Sequence, residues 1–212
     1  MDQFKQEYRP ETSSWWYTKE SFIFESLNYS LRSLDTKVMM TMGLFIGNLY
    51  RQIVKLHQQQ YHNCNDVPFL VYCGQGLSIV DFDKIRRNKG GLITFNNFLS
   101  TSKQRDIAFL FAESSSIMHG IIGIIFEICI NPNMQAAAFA NIAEISNFGN
   151  EEEILFSMNT AFRVGSINQA ENREKIWEVR LILTDDNDPQ LINLTKKMRE
   201  ETGGPNGWFR MA

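Results

Sequence analysis

The segment Ile121 to Ile130 constrains the fold more than any other part of the chain. It reads Ile-Ile-Gly-Ile-Ile-Phe-Glu-Ile-Cys-Ile, almost all β-branched or aromatic, with a single charge. A spanning helix needs roughly 20 apolar residues, so this run is too short to cross a membrane. As a strand it is apolar on both faces of the pleat, and such a strand is a central one, covered on both sides.

The residues before it follow a different period. Val38, Met42, Phe45, Leu49, Ile53 and Leu56 recur three or four apart, which predicts one long helix with an apolar face and Asp35 as its N-cap. An earlier helix is expected over Thr18 to Asn28, just after Trp15-Trp16-Tyr17. Past the polar linker His62 to Asp66, short apolar runs alternate with turn signals. Phe69 to Tyr72, Leu92 to Phe95, Phe98 to Thr101, Ile154 to Phe156, Phe162 to Ile167 and Trp177 to Leu183 read as strands. Ser78 is placed to cap a helix through Arg87, Ser102 to cap one from Lys103 to Phe111, and a last helix covers Leu191 to Glu201. Helices first and strands afterwards predict an α+β fold rather than alternating β-α-β units. No Gly-x-Gly-x-x-Gly follows a strand and no Gly-Lys-Ser/Thr loop is present, so a bound dinucleotide would not sit in a Rossmann fold.

Composition narrows the functional classes. Apolar residues make up 43% and charged residues 21%, with a formal net charge of -3. No basic excess points to nucleic acid or to a membrane surface. The three cysteines, Cys64, Cys73 and Cys129, are isolated, and His57, His62 and His119 lack metal spacing, so neither a disulfide framework nor a metal site is expected. The N-terminus lacks the apolar stretch of a signal peptide, and the expectation is a soluble, cytoplasmic or otherwise intracellular protein.

Three short motifs could carry chemistry. Glu151-Glu152-Glu153 precedes Ile154-Leu155-Phe156. It is either a solvated acidic turn or, if extended, a strand entry that projects Glu151 and Glu153 from one face. Paired carboxylates suit stabilisation of a cationic transition state or general-base work. In Phe98-Leu99-Ser100-Thr101-Ser102, Ser102 has a capping role and the Ser100 hydroxyl is available to a ligand or a carboxylate. In Val71-Tyr72-Cys73-Gly74-Gln75-Gly76, the glycines mark a turn or a close approach of a ligand to the backbone.

In this order the motifs resemble the Arg-Ser-Glu class of mono-ADP-ribosyltransferases, which includes clostridial-type toxins and vertebrate ecto-enzymes. The likeness spans nearly the whole chain. It is greatest to the transferase domains of rotifers and other invertebrates, which carry similar Trp-Trp-Tyr-Thr, Val-Tyr-x-Gly-Gln-Gly, Phe-Asn-Asn-Phe-Leu-Ser-Thr-Ser and Glu-Glu-Glu-Ile-Leu-Phe segments. The resemblance implies a mostly antiparallel two-sheet core over residues 66–202. A helical region over 1–65 would wall an NAD cleft, and 203–212 would link to a tetratricopeptide-repeat domain. It implies NAD as a substrate, no metal, and an arginine-bearing acceptor protein. Glu153 would stabilise the oxocarbenium-like centre as nicotinamide leaves, Glu151 would orient and deprotonate the acceptor arginine, and Ser100 would orient NAD. Gly74 would hold the nicotinamide amide through its backbone, with Cys73, Gln75, Phe98 and Thr101 also at the NAD site. Glu113 to Gly120 would fold over the phosphate and nicotinamide.

One position departs from the pattern. The family arginine that grips NAD phosphate or braces the site falls at Cys73, and a neutral thiol makes no charge-assisted fork to phosphate. Arg51, Arg86 and Arg105 are candidates to replace it. Besides the arginine-directed transferase, an NAD glycohydrolase using the same Glu153 and a non-catalytic NAD-binding module remain open.

Overall fold

A computed structural model describes residues 2–19, 22–33, 35–61, 67–134, 136–147, 152–171 and 173–201. Helices come first: α1 (Asp2–Glu7), a 3-10 turn at Pro10–Thr12, α2 (Ser13–Thr18), α3 (Phe22–Ser33), α4 (Thr36–Thr41) and α5 (Gly43–Tyr61). Strands then dominate: β1 (Phe69–Ser78), α6 (Ile79–Arg87), β2 (Leu92–Phe95), β3 (Leu99–Ser102), α7 (Arg105–Ser116), β4 (Ile121–Ile130), β5 (Phe139–Asn141), β6 (Glu153–Phe156), β7 (Thr160–Gln169), β8 (Ile176–Leu183) and α8 (Pro189–Glu201). The α+β expectation holds. The segment joining the two parts, 62–66, and the residues after Glu201 lie outside the described residues.

The helical region differs from its sequence reading in two places. Trp15-Trp16-Tyr17 does not precede a helix but lies within α2, and α3 starts at Phe22 rather than Thr18. The long amphipathic helix is divided at Met42, immediately before Gly43, where a residue without a side chain weakens the helix. Asp35 caps as expected, its carboxylate accepting from the Lys37 and Val38 amides at 3.1 and 3.2 Å.

The strands form one mixed eight-stranded sheet among the described residues, in the order β2-β7-β8-β4-β1-β3-β6-β5. The apolar run β4 lies inside it, paired antiparallel to β1 and parallel to β8. The expected two-sheet, mostly antiparallel arrangement is met in part. The β4–β8 pair is parallel, and β1 reaches β3 through a single register pair, Tyr72 with Ser102. About that narrow junction β3-β6-β5 folds over the larger half. Phe156 of β6 meets Phe162 of β7 with ring centroids 5.4 Å apart, and Val71, Phe126, Ile154 and Val179 fill the space between the halves. A second core packs Trp16, Tyr17, Leu27, Leu49 and Ile53 of the helices against Phe98 and Leu155 on the outer face of the smaller half.

The glycines of the Val-Tyr-Cys-Gly-Gln-Gly segment are not in a turn. β1 continues through both to Ser78, with Gly74 opposite Ile125 and Gly76 opposite Gly123 on β4. A Cβ on Gly74 would lie 1.8 Å from the Ala108 carbonyl oxygen, one on Gly76 2.8 Å from Ser115 Cβ, and one on Gly123 2.3 Å from the Ala112 carbonyl oxygen. The bare backbone therefore lets α7 lie directly on β1 and β4, where Ala108 and Ala112 are buried against Ile125. Helix α7 starts later than expected, at Arg105. Ser102 accepts from the Gln104 amide at 3.0 Å instead of standing at the N-cap. It also runs on to Ser116, so the Glu113 to Gly120 segment is helical in its first half.

Candidate active site

Strand alternation divides β3 and β6 between two environments. Leu99, Ile154 and Phe156 face the core between the sheet halves, while Phe98 and Leu155 face the helices. Ser100 and Glu153 belong to the helix-facing set. In the antiparallel register Ser100 is opposite Leu155 and Ser102 opposite Glu153, so Ser100 and Glu153 are diagonal neighbours on one face. The Ser100 hydroxyl donates to Glu153 Oε1 at 2.5 Å. Glu153 is 3% exposed, which makes it a carboxylate held inside the protein with a hydroxyl on one oxygen. Thr101 alternates to the other side and donates to the Ile154 carbonyl at 2.8 Å.

A cavity of about 370 Å³ opens in front of this pair. Its lining includes Cys73, Gly74 and Gln75 of β1, Phe98 just before β3, Ser100 to Ser102 of β3, and Glu153, together with Ile107, Ala108 and Phe111 of α7 and Tyr17, Phe24, Asn28 and Arg32 of the helices. The structure thus brings Ser100, Glu153, Cys73, Gly74, Gln75, Phe98 and Thr101 to one cavity. Glu151 lies outside the described residues. The expectation that Glu151 and Glu153 share a strand face therefore falls outside the described residues on its Glu151 side. β6 begins at Glu153, and Glu152 has φ of 44°, a left-handed conformation that interrupts the extended alternation.

The sequence reading expected a helical wall but named none of the residues that it brings to the cavity, Tyr17, Phe24, Asn28 and Arg32. Tyr17 is buried, and its hydroxyl lies 2.7 Å from the Phe98 carbonyl and 2.9 Å from Asn28 Oδ1. Asn97 Nδ2 donates to the same two oxygens, at 3.0 Å to Phe98 and 3.2 Å to Asn28. This network fixes the entry of β3 two residues before Ser100. Burial, first of all, holds the Tyr17 phenol well above the ordinary tyrosine range, with the Asn28 bond opposing it and the Glu153 charge adding to it. Spacing held the missing signal: Phe24, Asn28 and Arg32 recur every fourth residue beside the buried stripe Ile23, Leu27 and Leu31.

Cys73 sits in the cavity wall, and burial pushes its thiol up to about 12, with the Arg32 guanidinium pulling the other way. It is therefore a neutral thiol near pH 7. Arg51, Arg86 and Arg105 do not line the cavity. Arg86 stands by Asp83 and over the Trp177 ring, and Arg105 pairs with Glu178. The arginine that does line it is Arg32. Among the described residues no group of three or more His, Cys, Asp or Glu could hold a metal ion, and no helix is long and apolar enough to cross a membrane.

A sequence model described as "ADP-ribosyltransferase exoenzyme" matches residues 55–191, well over half of the chain. No curated protein matches the chain in sequence. Solved structures do match its fold. The ADP-ribosyltransferase Vis of Vibrio splendidus aligns with a TM-score of 0.63 at 20% identity, over 84% of this chain and 74% of that one. The C3 exoenzyme of Clostridium limosum aligns at 0.59 and 15%, over 82% and 84%. Exoenzyme S of Pseudomonas aeruginosa, solved with a 14-3-3 protein and bound to carba-NAD, aligns at 0.58 and 17%, over 88% and 82%.

Proposed function

The chain belongs to the ADP-ribosyltransferase exoenzyme family, whose members draw on NAD, and from that premise we propose that its cavity cleaves the nicotinamide–ribose bond of NAD and passes ADP-ribose to an arginine side chain of a protein. The observation that carries this reading is the Ser100–Glu153 pair, a buried carboxylate with one oxygen bonded at 2.5 Å, at the wall of the cavity. As the C–N bond breaks, its electron pair leaves with nicotinamide and the ribose C1′ becomes oxocarbenium-like. A carboxylate fixed beforehand stabilises that positive charge without reorganisation. Ser100 holds Glu153 in place. A guanidinium nitrogen of the acceptor then attacks C1′ and gives up its proton, the task assigned to Glu151 because free guanidinium stays protonated.

The remaining assignments follow the same reading. Gly74 and Gln75 offer strand backbone to the nicotinamide amide, with Cys73, Phe98 and Thr101 around it. Arg32 supplies the cation that Cys73 does not. In this reading residues 1–65 wall the cleft and 66–202 make up the transferase core. A second reading, NAD glycohydrolase, is favoured by Glu152. Its left-handed backbone stands directly before the strand that holds the bond-cleaving Glu153, the one carboxylate that hydrolysis by water requires.

The test is nicotinamide release from NAD with and without an arginine analogue. Glu153→Gln should abolish release while circular dichroism stays native; wild-type turnover in that variant would remove the assignment. Glu151→Gln should suppress transfer to the analogue more than hydrolysis. A parallel loss of both would show that Glu151 does not serve the acceptor.

A further inference from the structure

The cavity in front of Glu153 has a neighbour along helix α3. On the outer side of α3 a second cavity, about 620 Å³, is lined by Phe24, Glu25, Asn28, Tyr29, Arg32 and Ser33. Phe24, Asn28 and Arg32 line both cavities, so the two adjoin along this helix. The helical repeat explains the division. Residues 24, 28 and 32 form one ridge, and residues 25, 29 and 33 form the next ridge round the helix.

A dinucleotide laid along the two cavities has its orientation fixed by the inner one. With the nicotinamide riboside at Ser100 and Glu153, the pyrophosphate comes to Arg32, the cation at the junction, and the adenosine half comes to the outer cavity. That cavity has the chemistry for it. Phe24 is 38% exposed and Tyr29 72%, so both offer aromatic surface on which a base can stack. Glu25 is an exposed carboxylate in the first turn of α3. When ionised it only accepts hydrogen bonds, so it receives the hydroxyls of an adenosine ribose and repels a phosphate on the same sugar.

We propose that Glu25 makes this chain select NAD over NADP, because its carboxylate in the outer cavity accepts the adenosine 2′-hydroxyl and excludes a 2′-phosphate. The proposal rests on the NAD reading of the inner cavity. A carboxylate in the first turn of a helix also favours the helix dipole, but that role acts on stability and is blind to the 2′-phosphate.

Nicotinamide release by the full chain, measured with NAD and with NADP for wild type, Glu25→Gln and Glu25→Lys, tests it. The wild type should favour NAD in kcat/KM by about tenfold or more, the scale of a charge-assisted bond lost and a like charge met. In Glu25→Gln, KM for NAD should rise and KM for NADP fall, and Glu25→Lys should bring the ratio to unity or invert it. Tyr29→Ala should weaken both dinucleotides alike. If NAD is turned over but all three Glu25 forms keep one NAD:NADP ratio, the Glu25 assignment is overturned and the NAD reading stands. If the wild type neither binds NAD by calorimetry nor releases nicotinamide, the reading of the inner cavity falls, and this inference with it.

Discussion

Replacing Gly74 by alanine adds one methyl group to a strand that has no room for it. The new Cβ would lie 1.8 Å from the Ala108 carbonyl oxygen, 2.6 Å from its carbonyl carbon and 3.0 Å from its Cα. A carbon and an oxygen in contact sit roughly 3.3 Å apart, so α7 must retreat by about 1.5 Å. The obstructing atoms are helix backbone, so no side-chain rotation relieves the clash. Overpacking a core costs about 1–3 kcal/mol, and a rigid helix puts this case near the top, at about 3 kcal/mol. That is a large part of a total stability of roughly 5–15 kcal/mol. For a chain of this size it corresponds to a melting temperature lower by roughly 6–12 °C. Urea and thermal denaturation followed by far-ultraviolet circular dichroism measure it. Activity should fall too, because Ile107, Ala108 and Phe111 of the displaced helix line the cavity. An alanine variant that melts with the wild type would refute the argument that the bare backbone of β1 exists to seat α7.

Three further predictions follow from the cavity wall. Cys73→Arg should tighten NAD binding by roughly 1–3 kcal/mol, the worth of a hydrogen bond to a charged group. Arg32→Gln should then cost less affinity in that background than in the wild type; strictly additive effects in calorimetry would mean that the two positions do not share the phosphates. Tyr17→Phe should lower stability by about 1–2 kcal/mol, since Phe98 and Asn28 keep their Asn97 bonds, and should reduce turnover by loosening the entry of β3. Finally, Cys73 titrates near 9.0 when unfolded and at about 12 when folded. The folded state therefore retains a proton that the unfolded chain has lost, so stability is full below pH 9 and falls as pH rises from 9 towards 12. The slope is on the order of 1 kcal/mol per pH unit, and Tyr17 adds a fall of the same sign at higher pH. Urea midpoints between pH 7 and 10.5 should show the decline, and Cys73→Ala should flatten its first part.

The sequence by itself determined the α+β class, the central place of Ile121 to Ile130, the caps at Asp35 and Ser78 and most strand positions. These rest on local periods and on side-chain–backbone bonds a few residues apart, which a linear chain displays directly. It also picked out seven residues, Cys73 to Gln75, Phe98, Ser100, Thr101 and Glu153, that the fold gathers at one cavity. Their motif order carried that information. Tertiary structure decided what depends on partners distant in sequence. Gly74 and Gly76 read alone suggest a turn, and only the approach of α7 shows them as extended strand. Tyr17, Asn28 and Arg32 look like ordinary helix residues until the helices close on β3. The start of β6 at Glu153, directly after a left-handed Glu152, is likewise set by a backbone dihedral and not by residue spacing.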